Sequence, residues 1–254
     1  MPAAPATPPT LTGVGVGPGD PELVTVKAVR VLAAADAILV PDPDTGATEV
    51  GRAEQVVLHA CPEAAGRIVR VPFSMAQRSG VGTKRRQSWE ASAQAALDAY
   101  AGAARSVAFA TVGDPSVYST FSYLAAHVRD ALPDVVVEVV PGITAMQALA
   151  AAGRVPLVEA QELLTLVPVT AGLETLARAL ELSDTVVAYK GGRHLHEVQR
   201  LVRERRPDAT AVIGVNVGLA GEQLMPLAEL DADRAPYFST VLVAPTRTAT
   251  GGRL

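Results

Sequence analysis

The 254-residue sequence has little of several features that mark particular classes of protein. It has one cysteine, Cys61, so an internal disulfide bond is excluded and a reducing compartment, the cytoplasm, is expected. Asp36, Glu138 and Pro141 interrupt its most apolar stretches, so no membrane-spanning helix is expected. Residues 1–10 hold prolines but no basic residue and no apolar core, and we expect a disordered tail there instead of a signal peptide.

Positive charge and aromatic side chains are also scarce. The 22 Lys and Arg residues are outnumbered by 26 Asp and Glu residues, giving a formal net charge of −4, and aromatic residues make up 4%. Such a chain lacks the basic, ring-bearing surface that binds nucleic acids, and it has no general attraction for an anionic membrane. We therefore expect a small-molecule partner, with no nucleic acid and no membrane.

Alternating strand and helix patterns fill the sequence and predict an α/β fold. The strands predicted in the first part are residues 11–17, 37–40, 67–71, 107–111 and 135–140. Their separation by helices is typical of a parallel sheet covered on both faces. The strands predicted in the second part are residues 163–169, 185–189, 211–215 and 238–244. The last of these follows a polar stretch without a crossover helix, which favours a mixed sheet. The predicted domains are the tail 1–10, an N-terminal α/β domain 11–143 and a C-terminal α/β domain 144–254.

Turns rich in glycine and proline follow several of the predicted strands. The segment GVGVGPGDP leads from the first strand to a helix start, where Asp20 can cap the helix and Pro21 suits its first turn. Three comparable turns are Gly113-Asp114-Pro115, Pro141-Gly142-Ile143-Thr144 and Lys190-Gly191-Gly192-Arg193. Ligands of open α/β sheets bind beyond the carboxyl ends of the strands, so these turns together predict one shared cleft.

Motifs of several other enzyme classes are missing. Counting from Gly13, Gly15 or Gly17, the sixth residue is never glycine, so the dinucleotide fingerprint fails, and no phosphate-binding GK[ST] occurs. No serine lies in a G-x-S-x-G elbow. His194 and His196 point to different faces of a predicted helix, and we predict no metal site.

Several stretches together resemble one family. LTGVGVGPGDPELVTVKAVRVLAAAD, at residues 11–36, is similar to the opening signature of the tetrapyrrole methylases, which transfer methyl groups from S-adenosylmethionine to cobalamin and sirohaem precursors. GDPSVYSTFSYL and VEVVPGITA resemble the two central motifs of that family. The run Tyr118-Ser119-Thr120 and the later VVAYKGGRHLHEV are similar to the branch that acts on precorrin-2 at C20. The resemblance covers residues 11–244.

The resemblance implies a two-domain tetrapyrrole methylase fold, with the active site in the cleft between a parallel N-terminal sheet and a mixed C-terminal sheet. It also implies a homodimer and S-adenosylmethionine as cofactor. The cofactor-binding positions that it implies are Pro18, Gly113, Asp114, Val117, Thr144, Ala145, Tyr189, Val217, Gly218, Thr240 and Val241. Tyr189 stands where relatives often have Met. Asp114 and Tyr118 are the candidates for a direct catalytic role.

The implied substrate, precorrin-2, carries several carboxylates, so basic side chains are expected to meet it. The candidate substrate-binding residues are Lys84, Arg85, Tyr118, Ser119, Lys190 and Arg193, with Arg78 and Arg86 nearby. Residues 203–206 are instead expected to form an exposed helix end. The loop at residues 41–50 and the segment VNVGLAGEQ depart from the family pattern.

The expected activity is therefore methylation of precorrin-2 at C20, giving precorrin-3A. Cobalt-precorrin-2 or another tetrapyrrole position stays open as the target. Outside this class, the alternatives are a nicotinamide-dependent oxidoreductase and a non-catalytic ligand-binding protein.

Overall fold

The structure, a computed structural model, describes residues 7–43, 50–73, 83–230 and 239–247. It divides into two compact units, Met1–Thr144 and Ala145–Leu254, and each is described by itself. Within the described ranges, no helix combines the length and the apolar character that crossing a membrane requires.

The first unit is a parallel sheet with helices between its strands. Its strands are β1 (Thr10–Gly15), β2 (Ala37–Pro43), β3 (Ile68–Phe73), β4 (Ser106–Thr111) and β5 (Val136–Val140). Its helices are α1 (Val26–Ala34), α2 (Arg52–Ala60), α3 (Thr83–Ala101) and α4 (Phe121–Ala131). The spatial order β3-β2-β4-β1-β5 places β1 between β4 and β5, so the ends of these three strands are neighbours.

Alternating side chains along β4 build the two cores of this unit. Val107 and Phe109 pack against α3 and α4, whereas Ala108 and Ala110 pack against α1 and α2. Successive side chains of a strand point to opposite faces of the sheet, so an apolar strand of this kind requires cover on both sides. The parallel sheet with helices on both faces is as predicted.

Three local predictions in this unit need correction. The helix expected from Asp20 is two elements: a single 3-10 turn at Pro21–Leu23, capped by Asp20, and then α1, whose first turn is capped by the Thr25 hydroxyl. Helix α3 begins at Thr83, whereas the sequence predicts a helix that starts at about Ser88. Strand β2 continues through Pro41, because β2 pairs with β4 only as far as Leu39 and then has β3 alone as its neighbour.

The second unit is a mixed sheet, as predicted. Its strands are β6 (Leu164–Pro168), β7 (Thr185–Tyr189), β8 (Thr210–Val215), β9 (Gln223–Pro226) and β10 (Ser239–Ala244). Its helices are α5 (Ala145–Gly153), α6 (Leu173–Leu182) and α7 (Leu195–Arg205). In the order β6-β7-β10-β8-β9, only β6 and β7 run parallel. Strand β9 was not predicted, because four residues ending in proline carry little strand signal.

The two faces of the second sheet have separate cores. Val241 and Val243 of β10 pack with α6 and α7, whereas Leu242 and Ala244 pack with α5. The face of each residue of β10 therefore follows from its parity in the sequence.

Candidate functional site

The turn after β1 brings its backbone against the turn after β4. Gly17 has a φ of +77°, which favours glycine, and its carbonyl oxygen accepts a hydrogen bond of 2.7 Å from the Gly113 amide. One residue earlier, the Val16 amide donates to the Thr111 carbonyl at 3.0 Å. Pro18, a predicted cofactor-binding residue, follows directly and is buried.

The turn after β5 joins the same assembly through close backbone contact. A Cβ atom on Gly15 would lie 2.6 Å from the Gly113 carbonyl oxygen and 2.6 Å from the Gly142 amide nitrogen. A Cβ atom on Gly142 would lie 2.2 Å from that same oxygen. Real Cβ atoms do not approach other atoms so closely, so both positions require glycine. The turns after β1, β4 and β5 therefore meet, as the sequence predicts for these three.

Asp114 joins two of these turns with its side chain. One carboxylate oxygen accepts a hydrogen bond of 2.9 Å from the Gly142 amide, and the other accepts from the Ser116 amide at 2.7 Å and from the Ser116 hydroxyl. Burial acts to raise the pKa of Asp114, but the hydrogen bonds from Ser116 and Gly142 outweigh it and hold the pKa below its ordinary value. The carboxylate is therefore ionised at neutral pH and occupied by protein donors.

Tyr118 and Ser119 follow this turn, and they differ in exposure and in hydrogen bonding. Tyr118 has a φ of +52°, which costs a bulky residue about 1 kcal/mol, and its side chain is 43% exposed. Partial burial raises the pKa of Tyr118, so its phenol stays protonated and able to donate. The Ser119 hydroxyl donates to Thr111 at 3.1 Å and accepts from the Phe121 amide at 3.2 Å, at the start of α4. Val117, half-buried, precedes them.

In the second unit, Tyr189 reaches the start of a helix. Its hydroxyl accepts a hydrogen bond of 3.1 Å from the Met146 amide, in the first turn of α5. Thr144 is buried and Ala145 half-buried at this point of the chain. Amides of a first helical turn have no hydrogen-bond acceptor within the helix. The phenol oxygen of Tyr189 accepts from one of these amides.

The remaining predicted cofactor residues of this unit divide between the two faces of its sheet. Thr240 is in register with Tyr189 and with Gly214, and the side chains of Tyr189 and Val217 pack on the α5 face. Val241 instead packs in the core with α6 and α7, so its side chain is not grouped with theirs. Gly218, with a φ of +77°, donates its amide to Glu222 Oε2 at 2.7 Å in the turn after β8.

The predicted basic residues that the structure describes lie in the first turn of α3 or between β7 and α7. Lys84 and Arg85 are in the first turn of α3, although their side chains fall outside the described residues, as does all of Arg78. Lys190 follows β7 with a φ of +59°, and Arg193 is exposed just before α7. Searching the described residues yields no group of three His, Cys, Asp or Glu side chains that could hold a metal ion.

Comparison with known sequences decides the family. The sequence model of the Tetrapyrrole (Corrin/Porphyrin) Methylases matches residues 10–231. The chain belongs to this family.

Curated relatives resemble this tetrapyrrole methylase along most of its length. The precorrin-2 C(20)-methyltransferase of Sinorhizobium sp. is 35% identical over 236 residues, covering 92% of this chain and 94% of the relative. The cobalt-precorrin-2 C(20)-methyltransferase of Salmonella typhimurium is 30% identical over 92% of this chain and 95% of the relative. The cobalamin biosynthesis protein CobIJ of Mycobacterium tuberculosis is 30% identical over 92% of this chain. This tetrapyrrole methylase spans 46% of CobIJ, about half of its length.

Solved structures share the fold. A putative cobalamin synthesis related protein, CobF, of Corynebacterium diphtheriae has a TM-score of 0.70 at 20% identity, covering 94% of this chain and 99% of that one. The uroporphyrin-III C-methyltransferase of Thermus thermophilus, solved with S-adenosylhomocysteine, has a TM-score of 0.61 at 25% identity, covering 92% and 97%. The two-domain tetrapyrrole methylase fold is thus confirmed.

Sequence reasoning missed two features of the site in this tetrapyrrole methylase. Ser116 holds the Asp114 carboxylate, and the Asp-Pro-Ser spacing, typical of a turn closed by an Asp side chain, was a usable signal. The bond from Met146 to Tyr189 spans 43 residues and left no local signal. The cofactor and substrate roles of the predicted residues stay predictions.

Proposed function

We propose that this tetrapyrrole methylase transfers the methyl group of S-adenosylmethionine to C20 of precorrin-2, giving precorrin-3A. The observation that carries the proposal is the 35% identity, over 92% of the chain, to a relative named for that reaction. Cobalt-precorrin-2 is the second candidate substrate, because a relative named for it is 30% identical over the same share. Membership of a methylase family favours methyl transfer over nicotinamide-dependent oxidation or non-catalytic binding.

The residues at the three turns of the first unit suit this cofactor. A Cβ atom on Gly113 would meet nothing within 4 Å, so a ligand can approach the backbone there. The ionised Asp114 beside it favours a cation over the anionic pyrophosphate of a dinucleotide. S-adenosylmethionine supplies a methyl group already activated by the positive charge of its sulfonium.

We propose that the chain's own residues contribute orientation and exclusion of water. On this proposal, the buried Pro18 and the backbone at Gly113 and Val117 line the side of the cofactor, and excluding water there keeps the attacking carbon in line with the methyl group. Tyr118, protonated and partly exposed, orients the tetrapyrrole by donating a hydrogen bond. Asp114 is a poor proton acceptor, because its pKa is lowered and its oxygens already accept hydrogen bonds.

Basic side chains are proposed to hold the substrate's carboxylates. Lys84 and Arg85 lie in the first turn of α3, where the helix dipole disfavours positive charge, so helix stability does not explain them. An anionic substrate would offset that unfavourable placement. Lys190 and Arg193 are the corresponding basic residues of the second unit, and we propose that the protein is a cytoplasmic homodimer.

The test is to incubate the purified chain with S-adenosylmethionine and either precorrin-2 or cobalt-precorrin-2. The expected result with precorrin-2 is a mass gain of one CH2 unit, because the methyl group replaces a proton, with the new methyl group located at C20 by NMR. Methylation at another carbon would assign a different branch, and turnover of cobalt-precorrin-2 alone would select the second candidate. Light scattering of the same sample is expected to give twice the chain mass of 26.2 kDa.

A further inference from the structure

Two side chains bind backbone amides at the two ends of one short segment, residues 142–146. In the first unit, Asp114 accepts from the Gly142 amide at 2.9 Å. In the second unit, Tyr189 accepts from the Met146 amide at 3.1 Å. Thr144 and Ala145, for which a cofactor role is proposed, lie between these two amides.

Both contacts are long-range in sequence, spanning 28 and 43 residues. Local turn geometry therefore does not produce them, and each fixes a backbone unit that would otherwise be freer. Gly142 lacks a Cβ atom and has the widest choice of torsion angles, so an external bond restricts it most. The Met146 amide lies in the first turn of α5, where no carbonyl of the helix can bind it.

Asp114 is also held in place by contacts other than the one with Gly142. Its other oxygen accepts from the Ser116 amide at 2.7 Å and from the Ser116 hydroxyl, and the residue is 8% exposed. Tyr189 is held by its ring, which packs on the α5 core with Val217 and Met146. Each anchor is thus rigid, and a rigid anchor transmits its position to the backbone that it binds.

We propose that Asp114 and Tyr189 are positioning residues that hold the backbone of residues 142–146 in the orientation that binds the methyl donor. The proposal deepens the proposed function and rests on it, since the cofactor role of Thr144 and Ala145 is part of that function. A backbone ordered in advance loses less conformational entropy on binding, so removing either anchor weakens affinity for the methyl donor.

The chain offers a matched control for each anchor. The Tyr100 hydroxyl donates to the Thr10 carbonyl at 2.7 Å, so Tyr100→Phe removes one phenol-to-backbone bond, as Tyr189→Phe does. Asp36 accepts from the Arg105 and Ser106 amides at 2.8 Å each and from the Ser106 hydroxyl at 2.9 Å. These three bonds share one carboxylate oxygen, so Asp36→Asn removes the charge from bonds with the same types of donor as those of Asp114, while its remaining oxygen can still accept.

Calorimetric titration with S-adenosylhomocysteine tests the proposal, with thermal unfolding measured on each sample. We expect Tyr189→Phe to weaken binding by about 3- to 10-fold and Asp114→Asn by about 10-fold or more, because an asparagine oxygen cannot replace both carboxylate oxygens. The KM for S-adenosylmethionine should rise with them, while the KM for the tetrapyrrole stays within about twofold. Tyr100→Phe and Asp36→Asn should lower the unfolding temperature but keep affinity within about twofold of the wild type.

Each outcome decides the question. If the wild type binds S-adenosylhomocysteine and both anchor variants bind as their controls do, the positioning role is wrong while the cofactor assignment stands. If the wild type does not bind it, the proposed function itself fails. Should Asp114→Asn not fold, Ser116→Ala replaces it, since it loosens the carboxylate but keeps its charge, and a weakening of about 2- to 5-fold is expected.

Discussion

At the scale of single residues, a substitution of Arg193 can distinguish a role in substrate binding from a role in cofactor binding. Arg193 is exposed in the turn after β7, where a guanidinium can hold a carboxylate through paired hydrogen bonds. We expect Arg193→Ala to raise the KM for the polycarboxylate about 10-fold, the loss of one charged hydrogen bond, with kcat nearly unchanged. Initial rates over a range of tetrapyrrole concentrations, with calorimetry for S-adenosylhomocysteine, give both values.

Arg203 provides the control for that measurement. It is also exposed, but it lies in the last turn of α7, whereas Arg193 precedes that helix in the sequence. Arg203→Ala should leave both constants within about twofold, since a single exposed charge acts weakly on a distant ligand. Weaker cofactor binding with an unchanged tetrapyrrole KM in Arg193→Ala would reverse the assignment.

Asp36 links the starts of β2 and β4, and its effect on stability depends on pH. Hydrogen bonds from the Arg105 and Ser106 amides, and then from the Ser106 hydroxyl, lower its pKa below the ordinary 3.8. A lowered folded-state pKa means that the ionised form stabilises the fold above pH 3.8, and that this contribution is lost as the pH falls through the lower value. We expect Asp36→Asn to lose about 1 kcal/mol at pH 7 and less at pH values near 3.

Urea unfolding of the wild type and of Asp36→Asn at several pH values between 3 and 7 measures this difference. Taking the difference between the two proteins cancels the other carboxylates, which titrate in both. A difference that grows as the pH falls would contradict the hydrogen-bond pattern around Asp36.

The cap at Asp20, unlike the contacts of Asp36, was predicted from the sequence, because a helix cap is a local contact. The Asp20 side chain accepts from the Glu22 amide at 2.9 Å.

At the scale of elements, the expectation of an exposed helix end at residues 203–206 holds for residues 203–205, which are exposed in the last turn of α7, but not for the half-buried Arg206. Its guanidinium donates to the carbonyls of Leu180 at 3.3 Å, Ser183 at 2.7 Å and Asp184 at 2.8 Å. It therefore closes the end of α6 and the turn into β7, where the last carbonyls of a helix lack partners. Arg67 serves the end of α1 in the same way, bonding the carbonyls of Leu32, Ala33 and Ala35.

We expect Arg206→Ala to lower the free energy of unfolding by about 2 kcal/mol, because three carbonyls lose a charged donor. Arg206→Lys should recover only part of this, since an ammonium cannot reproduce the planar arrangement of donors. Urea unfolding measures both, with Arg203→Ala expected to cost a few tenths of a kcal/mol, roughly the value of a charge near a helix end. Equal losses in Arg206→Ala and Arg203→Ala would show that the carbonyl contacts do not stabilise α6.

The sequence predicted which segments form strands, but it did not predict which strands are neighbours. The strands of both sheets stand out because their residues are apolar and are bounded by Gly and Pro, which is a local property. The neighbours of each strand follow from packing: nothing in the sequence near Thr240 indicates that it lies between Tyr189 and Gly214. The same holds for the three glycine turns, whose contact was expected only because parallel strands end at one edge of a sheet.

At the scale of the whole molecule, binding of the cofactor should be visible as stability. A ligand that binds the folded chain and not the unfolded one stabilises it by about 2.7 kcal/mol at a concentration 100 times its Kd. For a chain of this size such a change corresponds to an increase of roughly 5–10 °C in the unfolding temperature. We expect S-adenosylhomocysteine to produce this increase and NADH to produce none, since the dinucleotide fingerprint is missing from the turn after β1.

Differential scanning calorimetry is suited to this measurement because the chain has two compact units, Met1–Thr144 and Ala145–Leu254, that can unfold separately. Predicted cofactor residues occur in both, for example Gly113 in the first and Thr240 in the second. If residues of both units bind the ligand, the whole transition should move to higher temperature. A shift confined to one of two resolved transitions would restrict the binding residues to one unit, and a larger shift with NADH would return the oxidoreductase alternative.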